Sequence, residues 1–136
     1  MKELTLEAVL ENIPQVTVFV DRELELLNCP IRAQMQIDAA IDELFSNISR
    51  YAYDPSTGPA AVRVEAEQDP LAVAISFIDH GVPFDPLAKQ YPDVTLSAED
   101  CPIGGPGIFL VKKTMDAVSY EYKDGRNIHR IKKHLS

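Results

Sequence analysis

Three groups of residues in this 136-residue chain have types and spacings suited to chemistry. The first is Asp79-His80-Gly81, which follows the apolar run Leu71 to Ile78. A buried strand that stops at Asp-x-Gly fixes one acceptor at the mouth of a core, and Gly81 allows close approach to the backbone. That arrangement suits a flat, amine-bearing ligand such as adenine. A strand that simply ends in a Gly-Pro turn has the same pattern. The second group is Glu43, Asn47 and Arg50. At 100° per residue they fall within about 60° of one another, beside the apolar stripe centred on Leu44. The Asn47 amide oxygen can ligate Mg²⁺, a hard cation, and the Glu43 carboxylate can take a proton from a hydroxyl or a water. A half-exposed polar edge with Glu43–Asn47 or Asn47–Arg50 contacts fits equally well. The third group is Gly104-Gly105-Pro106-Gly107, just before Ile108. Glycines at a helix start leave N–H groups open toward an anion. The pattern matches neither the P-loop nor the dinucleotide-binding fingerprint.

The elements that must hold these groups follow from periodicity and turn chemistry. Leu4-Thr5-Leu6 is a candidate edge strand. Asn12-Ile13-Pro14 reads as a helix start, and Ile13, Val16, Val20, Leu24 and Leu27 recur at helical spacing until Cys29-Pro30 interrupts them. A second helix is predicted over Ile31 to Ala52, with Ile37, Ile41, Leu44 and Ile48 on its buried side. Asp54 to Pro59 is a loop. Val62, Val64 and Ala66 alternate with charged residues, as in a half-exposed strand. After a turn at Gln68-Asp69-Pro70, Leu71 to Ile78 is apolar on both faces, as in a central strand or one covered on both sides. Asp85 to Gly104 has no period and reads as a functional or disordered loop. A helix with Ile108, Val111 and Met115 follows. Val118, Tyr120 and Tyr122 then form a strand, which Asp124-Gly125 joins as a hairpin to Asn127–Lys132. Consecutive strands with tight turns imply a mostly antiparallel sheet. With the helices they make one α+β domain, a two-layer sandwich spanning residues 1–136.

Composition narrows the partners. The chain is 46% hydrophobic and 25% charged, with a formal net charge of −8. Such acidity argues against direct nucleic-acid binding, and no basic amphipathic stretch seeks a membrane surface. A nucleotide stays compatible, because Mg²⁺ and backbone N–H groups can carry phosphate charge. The two cysteines, Cys29 and Cys101, and the scattered histidines His80, His129 and His134 form neither a disulfide framework nor a metal-ligand spacing. No signal peptide or membrane span is evident, so a cytoplasmic location is expected.

In their order along the chain, the three groups resemble the GHKL ATPase superfamily, whose domain is the Bergerat (histidine-kinase-like ATPase) fold. Glu43 to Tyr53, Glu-Leu-Phe-Ser-Asn-Ile-Ser-Arg-Tyr-Ala-Tyr, is similar to the asparagine box of the anti-sigma-factor serine/threonine kinases. Asp79-x-Gly81-x-Pro83-Phe84-Asp85 resembles their first glycine box and is the most specific of the motifs. Gly104 to Val111, with Asp116 beyond it, resembles the second, and Asp124 to Lys132 their closing hairpin. The likeness covers nearly the whole chain.

The resemblance implies roles. Glu43 is the expected general base toward a substrate serine. Asn47 is the expected Mg²⁺ ligand and Asp79 the acceptor for the adenine amine, with Gly81 letting the ring pack close. Gly105 and Gly107 offer N–H groups to phosphate. Arg50, Pro83, Gly104, Ile108 and Asn127 complete the expected ATP-binding set, Asn127 standing where relatives often place a hydroxyl residue. Residues 85–104 correspond to an ATP lid. The implied cofactors are ATP and Mg²⁺. The implied activity is that of an anti-sigma kinase, which phosphorylates a STAS-domain anti-anti-sigma factor and sequesters a sigma factor by partner switching, as a homodimer. Three departures bear on this. Tyr51 stands where the best-known members carry His, Pro106 lacks an N–H donor, and Lys89 is the single basic residue of the lid. The last two leave room for a nucleotide-sensing module with little or no kinase activity. A histidine-kinase catalytic domain or a gyrase- or chaperone-like ATPase is disfavoured, since no phosphoacceptor hairpin precedes the motifs and no further domain follows them.

Overall fold

The computed structural model describes residues 1–87 and 105–135. Its elements are β1 (Lys2–Glu7), a 3₁₀ turn (Leu10–Asn12), α1 (Ile13–Leu26), α2 (Ile31–Tyr51), β2 (Pro59–Glu67), β3 (Ala72–Asp79), α3 (Gly105–Thr114), β4 (Ala117–Lys123) and β5 (Arg126–His134). The five strands form one sheet in the order β1-β2-β3-β5-β4, with every neighbouring pair antiparallel. The three helices pack on one face, which is the expected α+β two-layer sandwich.

Local sequence accounts for the element ends. Pro14 sits in the first turn of α1, where its missing N–H costs nothing. Asn28 ends that helix in the left-handed region at φ 54°, while Cys29 N–H donates to Leu24 O (3.0 Å) and Asn28 N–H to Glu25 O (3.0 Å), a Schellman closure. Asp124 and Gly125 both have positive φ, 54° and 75°, as a type I′ hairpin requires. That turn sets Tyr122 opposite Asn127 and Tyr120 opposite His129.

The core lies between the helices and the sheet. Ile37, Ile41, Leu44 and Ile48 of α2 are buried with Val16, Val20 and Leu24 of α1, and they meet Val62, Ile75, Phe77 and Ile131 from the strands. Strand β3 is the middle strand, which explains its unbroken apolar run. Its second face has no helix layer among the described residues. There Ala74 and Ser76 lie between longer side chains of the flanking strands, Glu65 and Lys132 beside Ala74, Arg63 and Arg130 beside Ser76. Three of these long residues pair with carboxylates on the same face. Arg63 bonds Glu3, and Glu67 accepts from Arg130 (3.2 Å) and Lys132 (2.6 Å). Such exposed pairs add little stability, about 0–1 kcal/mol each, but their stems cover the alanines.

One polar pair sits between α1 and α2. Asp21 and Asp38 each bury an Oδ1 atom with no hydrogen-bond partner among the described residues. Burial, a hydrogen bond with Asp21 and that neighbour's charge push the Asp38 carboxyl up to about 7. No described helix is long and apolar enough to cross a membrane.

Candidate functional site

Helix α2 is the rail on which the three sequence groups meet. Its last turn touches the loop after β3, and its middle touches the start of α3.

At the first contact, Val82 N–H donates to Ala52 O at 2.9 Å. A Cβ on Gly81 would lie 2.1 Å from that same carbonyl oxygen. The close approach that requires glycine here is therefore made by the end of α2. The Tyr53 hydroxyl accepts from His80 N–H (2.8 Å) and donates to Pro59 O (2.6 Å), tying the same loop to the start of β2. Tyr51 packs against Phe84 with ring centroids 5.5 Å apart, so the Pro-Phe-Asp corner is anchored on α2.

Asp79, 1% exposed, ends β3 and stands opposite Asn127 on β5. Its Oδ1 accepts from Gly81 N–H (2.8 Å) and Asn127 Nδ2 (2.9 Å). Its Oδ2 lies 3.9 Å from His129 Nε2, beyond hydrogen-bond range. Burial holds the His129 imidazole below the usual histidine range, against the opposing pull of Asp79 and Asp85. Asn127, also 1% exposed, is bonded on both amide atoms. Oδ1 accepts from Phe84 N–H (3.1 Å) and from the Tyr120 hydroxyl, while Nδ2 also reaches Val82 O (2.8 Å). The carboxylate, the following loop and strand β4 are thus joined through one amide.

The other end is sparser. Glu43 is half-buried and Asn47 buried on α2. Asn47 Nδ2 donates to Glu43 Oε1 at 3.4 Å, a long bond. Burial raises the Glu43 carboxyl above its usual range, partly offset by the Asn47 bond and the Arg50 charge. That direction strengthens it as a base. With its nitrogen turned to Glu43, Asn47 presents its oxygen elsewhere, and a hard oxygen is the kind of donor Mg²⁺ takes. Among the described residues no group of three His, Cys, Asp or Glu could hold a metal by itself. A cation beside Asn47 would draw its remaining ligands from phosphate and water, the usual habit of Mg²⁺.

The Glu43 carboxylate lies against α3. A Cβ on Gly107 would sit 2.1 Å from Glu43 Oε2. Gly105 opens this helix, and Ile108, with no exposure, buries its side chain in the core, so Ile108 can offer a ligand only its N–H. A cleft of about 510 Å³ runs between α2 and α3, lined by Met35, Ala39, Glu43, Gly107 and Leu110 among others. Arg50 is exposed and bears on Glu43 through charge; Pro83 is exposed on the loop after Gly81. Gly104 and residues 88–104 of the expected lid lie outside the described residues.

Sequence reading gave no role to Tyr53, Tyr120, His129 or the Ala52 carbonyl. The Asp-Gly turn fixes Tyr120 and Asn127 on one face of the β4–β5 hairpin, so that pairing was available from sequence. The pairing of β5 with β3 joins distant segments and was not.

A family model described as the histidine kinase-like ATPase domain matches residues 6–133, a span that includes Glu43, Asp79, Gly107 and Asn127. The serine/threonine-protein kinase BtrW of Bordetella bronchiseptica is 31% identical over 96 residues, which cover 71% of this chain and 67% of that protein.

Proposed function

The chain belongs to the histidine kinase-like ATPase domain family, and on that premise we propose that it is an ATP-binding serine/threonine protein kinase that acts as an anti-sigma regulator. The observation that carries this reading is the arrangement along α2. The Asp79 corner is bonded to Ala52 at one end of the helix, and Glu43 and Asn47 stand up to nine residues back, about 13 Å along the axis for Glu43. That length suits an extended nucleoside triphosphate with its base at Asp79 and its terminal phosphate near Glu43. The relative named as a serine/threonine-protein kinase supports the choice of acceptor.

In this reading the adenine amine donates to Asp79, and N–H groups at the start of α3 face phosphate oxygens. Glu43 takes the proton of the acceptor hydroxyl as that oxygen bonds to the γ-phosphorus. The bond from phosphorus to the bridging oxygen breaks and ADP leaves. Asn47 would hold Mg²⁺ through its amide oxygen, and the ion would supply neutralisation of the charge that develops. The acceptor is a serine or threonine of a STAS-domain anti-anti-sigma factor, and the held partner is a sigma factor. The working form is a homodimer in the cytoplasm. The test is intact mass of the STAS protein encoded beside this gene after incubation with the chain and Mg-ATP. One added phosphate is expected. Robust ATP binding with no phosphate on any STAS partner would sink the kinase assignment.

One observation favours a second reading, a nucleotide sensor with little transfer. The Glu43 carboxylate is packed against Gly107, and Pro106 beside it has no N–H to give. The anion-binding end of α3 is then poorer in donors than the corner at Asp79.

A further inference from the structure

Asn127 sits in the candidate site, yet it has little left to give a ligand. Its amide orientation is dictated by partners that cannot exchange roles. Phe84 N–H can only donate, so it must face Oδ1. Val82 O can only accept, and the Asp79 carboxylate is likewise on the acceptor side, so both must face Nδ2. Rotating the amide would set donor against donor and acceptor against acceptor in a buried place, an arrangement proteins avoid. The Tyr120 hydroxyl adds a second donor to Oδ1 and closes the network from β4.

We propose that Asn127, held by Tyr120, is the positioning residue that sets the nucleobase selectivity of this site. By occupying Asp79 Oδ1 together with Gly81 N–H, it leaves Oδ2 as the one carboxylate oxygen offered to a ligand. This inference rests on the reading of Asp79 as the acceptor for a purine base. A 6-amino purine places a donor opposite Oδ2. A 6-oxo purine places an acceptor there and carries its nearest donor one atom away, at N1–H, which a carboxylate held in place cannot turn to meet. His129 Nε2, 3.9 Å from Oδ2, is too far to take that oxygen for itself. Without Asn127 the carboxylate can turn toward N1–H and the Gly81–Phe84 loop loses its bonds to β5, so the corner stops distinguishing the two bases.

The experiment is calorimetric titration with Mg-ATP and with Mg-inosine triphosphate, which differ at the 6-position of the base. The wild type is expected to favour ATP about tenfold or more, the size of one mismatched buried hydrogen bond. In Asn127→Ala the two affinities should come within about threefold of each other, through loss of ATP binding. Asn127→Thr, which keeps a donor for Asp79, should retain most of the preference. Tyr120→Phe should narrow it partly, with the hairpin intact. A merely structural role would weaken both nucleotides alike. A folded Asn127→Ala protein with the wild-type ratio therefore overturns the proposal. Should that variant not fold, Tyr120→Phe decides, and an unchanged ratio there overturns it as well. A wild type that binds both nucleotides equally, or neither, overturns the adenine reading itself, a result the variants are not needed to see.

Discussion

The two ends of α2 are built differently. At the Asp79 end the polar groups are multiply bonded: the buried carboxylate takes two donors on one oxygen, buried Asn127 is bonded on both amide atoms, and Tyr53 joins the loop after β3 to the start of β2. At the Glu43 end one 3.4 Å bond joins two side chains that are otherwise set by packing. A buried carboxylate can be kept in one orientation only if its neighbours are fully paired, since unpaired polar groups in low dielectric are costly. Recognition of a base benefits from such fixity. A general base gains from the opposite, because partial desolvation without strong partners raises its proton affinity. The contrast suggests that binding is organised in advance of a ligand and that the chemical end is completed by what binds.

That contrast can be broken in several ways. The largest effect is expected at Glu43. Glu43→Ala should cut phosphate transfer roughly a hundredfold to ten-thousandfold, the usual worth of a general base, while the rise in melting temperature with Mg-ATP stays. Normal transfer by this variant would remove Glu43 as the base. Next is Asp79→Asn, which keeps an oxygen for Gly81 and Asn127 but swaps Oδ2 for a donor. At a hundred times Kd, ATP should add about 2.7 kcal/mol to the wild type and almost nothing to this variant in thermal melts.

The glycines give a paired test. Gly81→Ala drives a methyl group into a backbone carbonyl and should cost about 1–3 kcal/mol of stability in urea unfolding. Gly107→Ala meets only the end of the Glu43 side chain, which can swing away. It should change stability by less than about 1 kcal/mol and still impair transfer. Equal losses of stability in the two would erase the distinction between the ends.

A smaller effect separates the ends by pH. Because the folded His129 resists protonation, the unfolded chain takes up a proton first as pH falls below about 6.5, the ordinary histidine value. This contribution to stability is present above that value and is lost as pH falls through the lower folded value. His129→Gln should flatten the decline in melting temperature between pH 7 and 5. The smallest effect is expected at Asp38, remote from both ends. Its raised value means the folded protein holds a proton that the unfolded chain releases, so stability drops as pH rises toward about 7. Asp38→Asn should raise the melting temperature a few degrees at pH 8 and do nothing near pH 3.

Much of the fold and half of the site are legible in the sequence. Periodicity places α1, α2 and the central strand, and the Asp-Gly pair sets the hairpin, because those signals are local. Glu43 beside Asn47 follows from helix geometry alone. The Tyr53 bridge, the Tyr120–Asn127 link to Asp79 and the seat of Gly81 on Ala52 are not legible there. Each depends on contacts between segments far apart in the chain, where neither spacing nor composition carries a signal. Gly81 shows the limit best: its need for close approach can be read, but the identity of the approaching group cannot.

That last contact bears on ancestry. Gly81 is required by the carbonyl of Ala52, inside the protein. A descendant that ceased to handle nucleotides would still be selected to keep this glycine, for the sake of its own folding. Relaxed selection would show first at Glu43 and at Gly107, whose lack of a side chain makes room for Glu43. Among drifting copies of this domain, a surviving glycine at this place is therefore a mark of shape, and the residue facing Gly107 is the better witness to whether anything is still being done there.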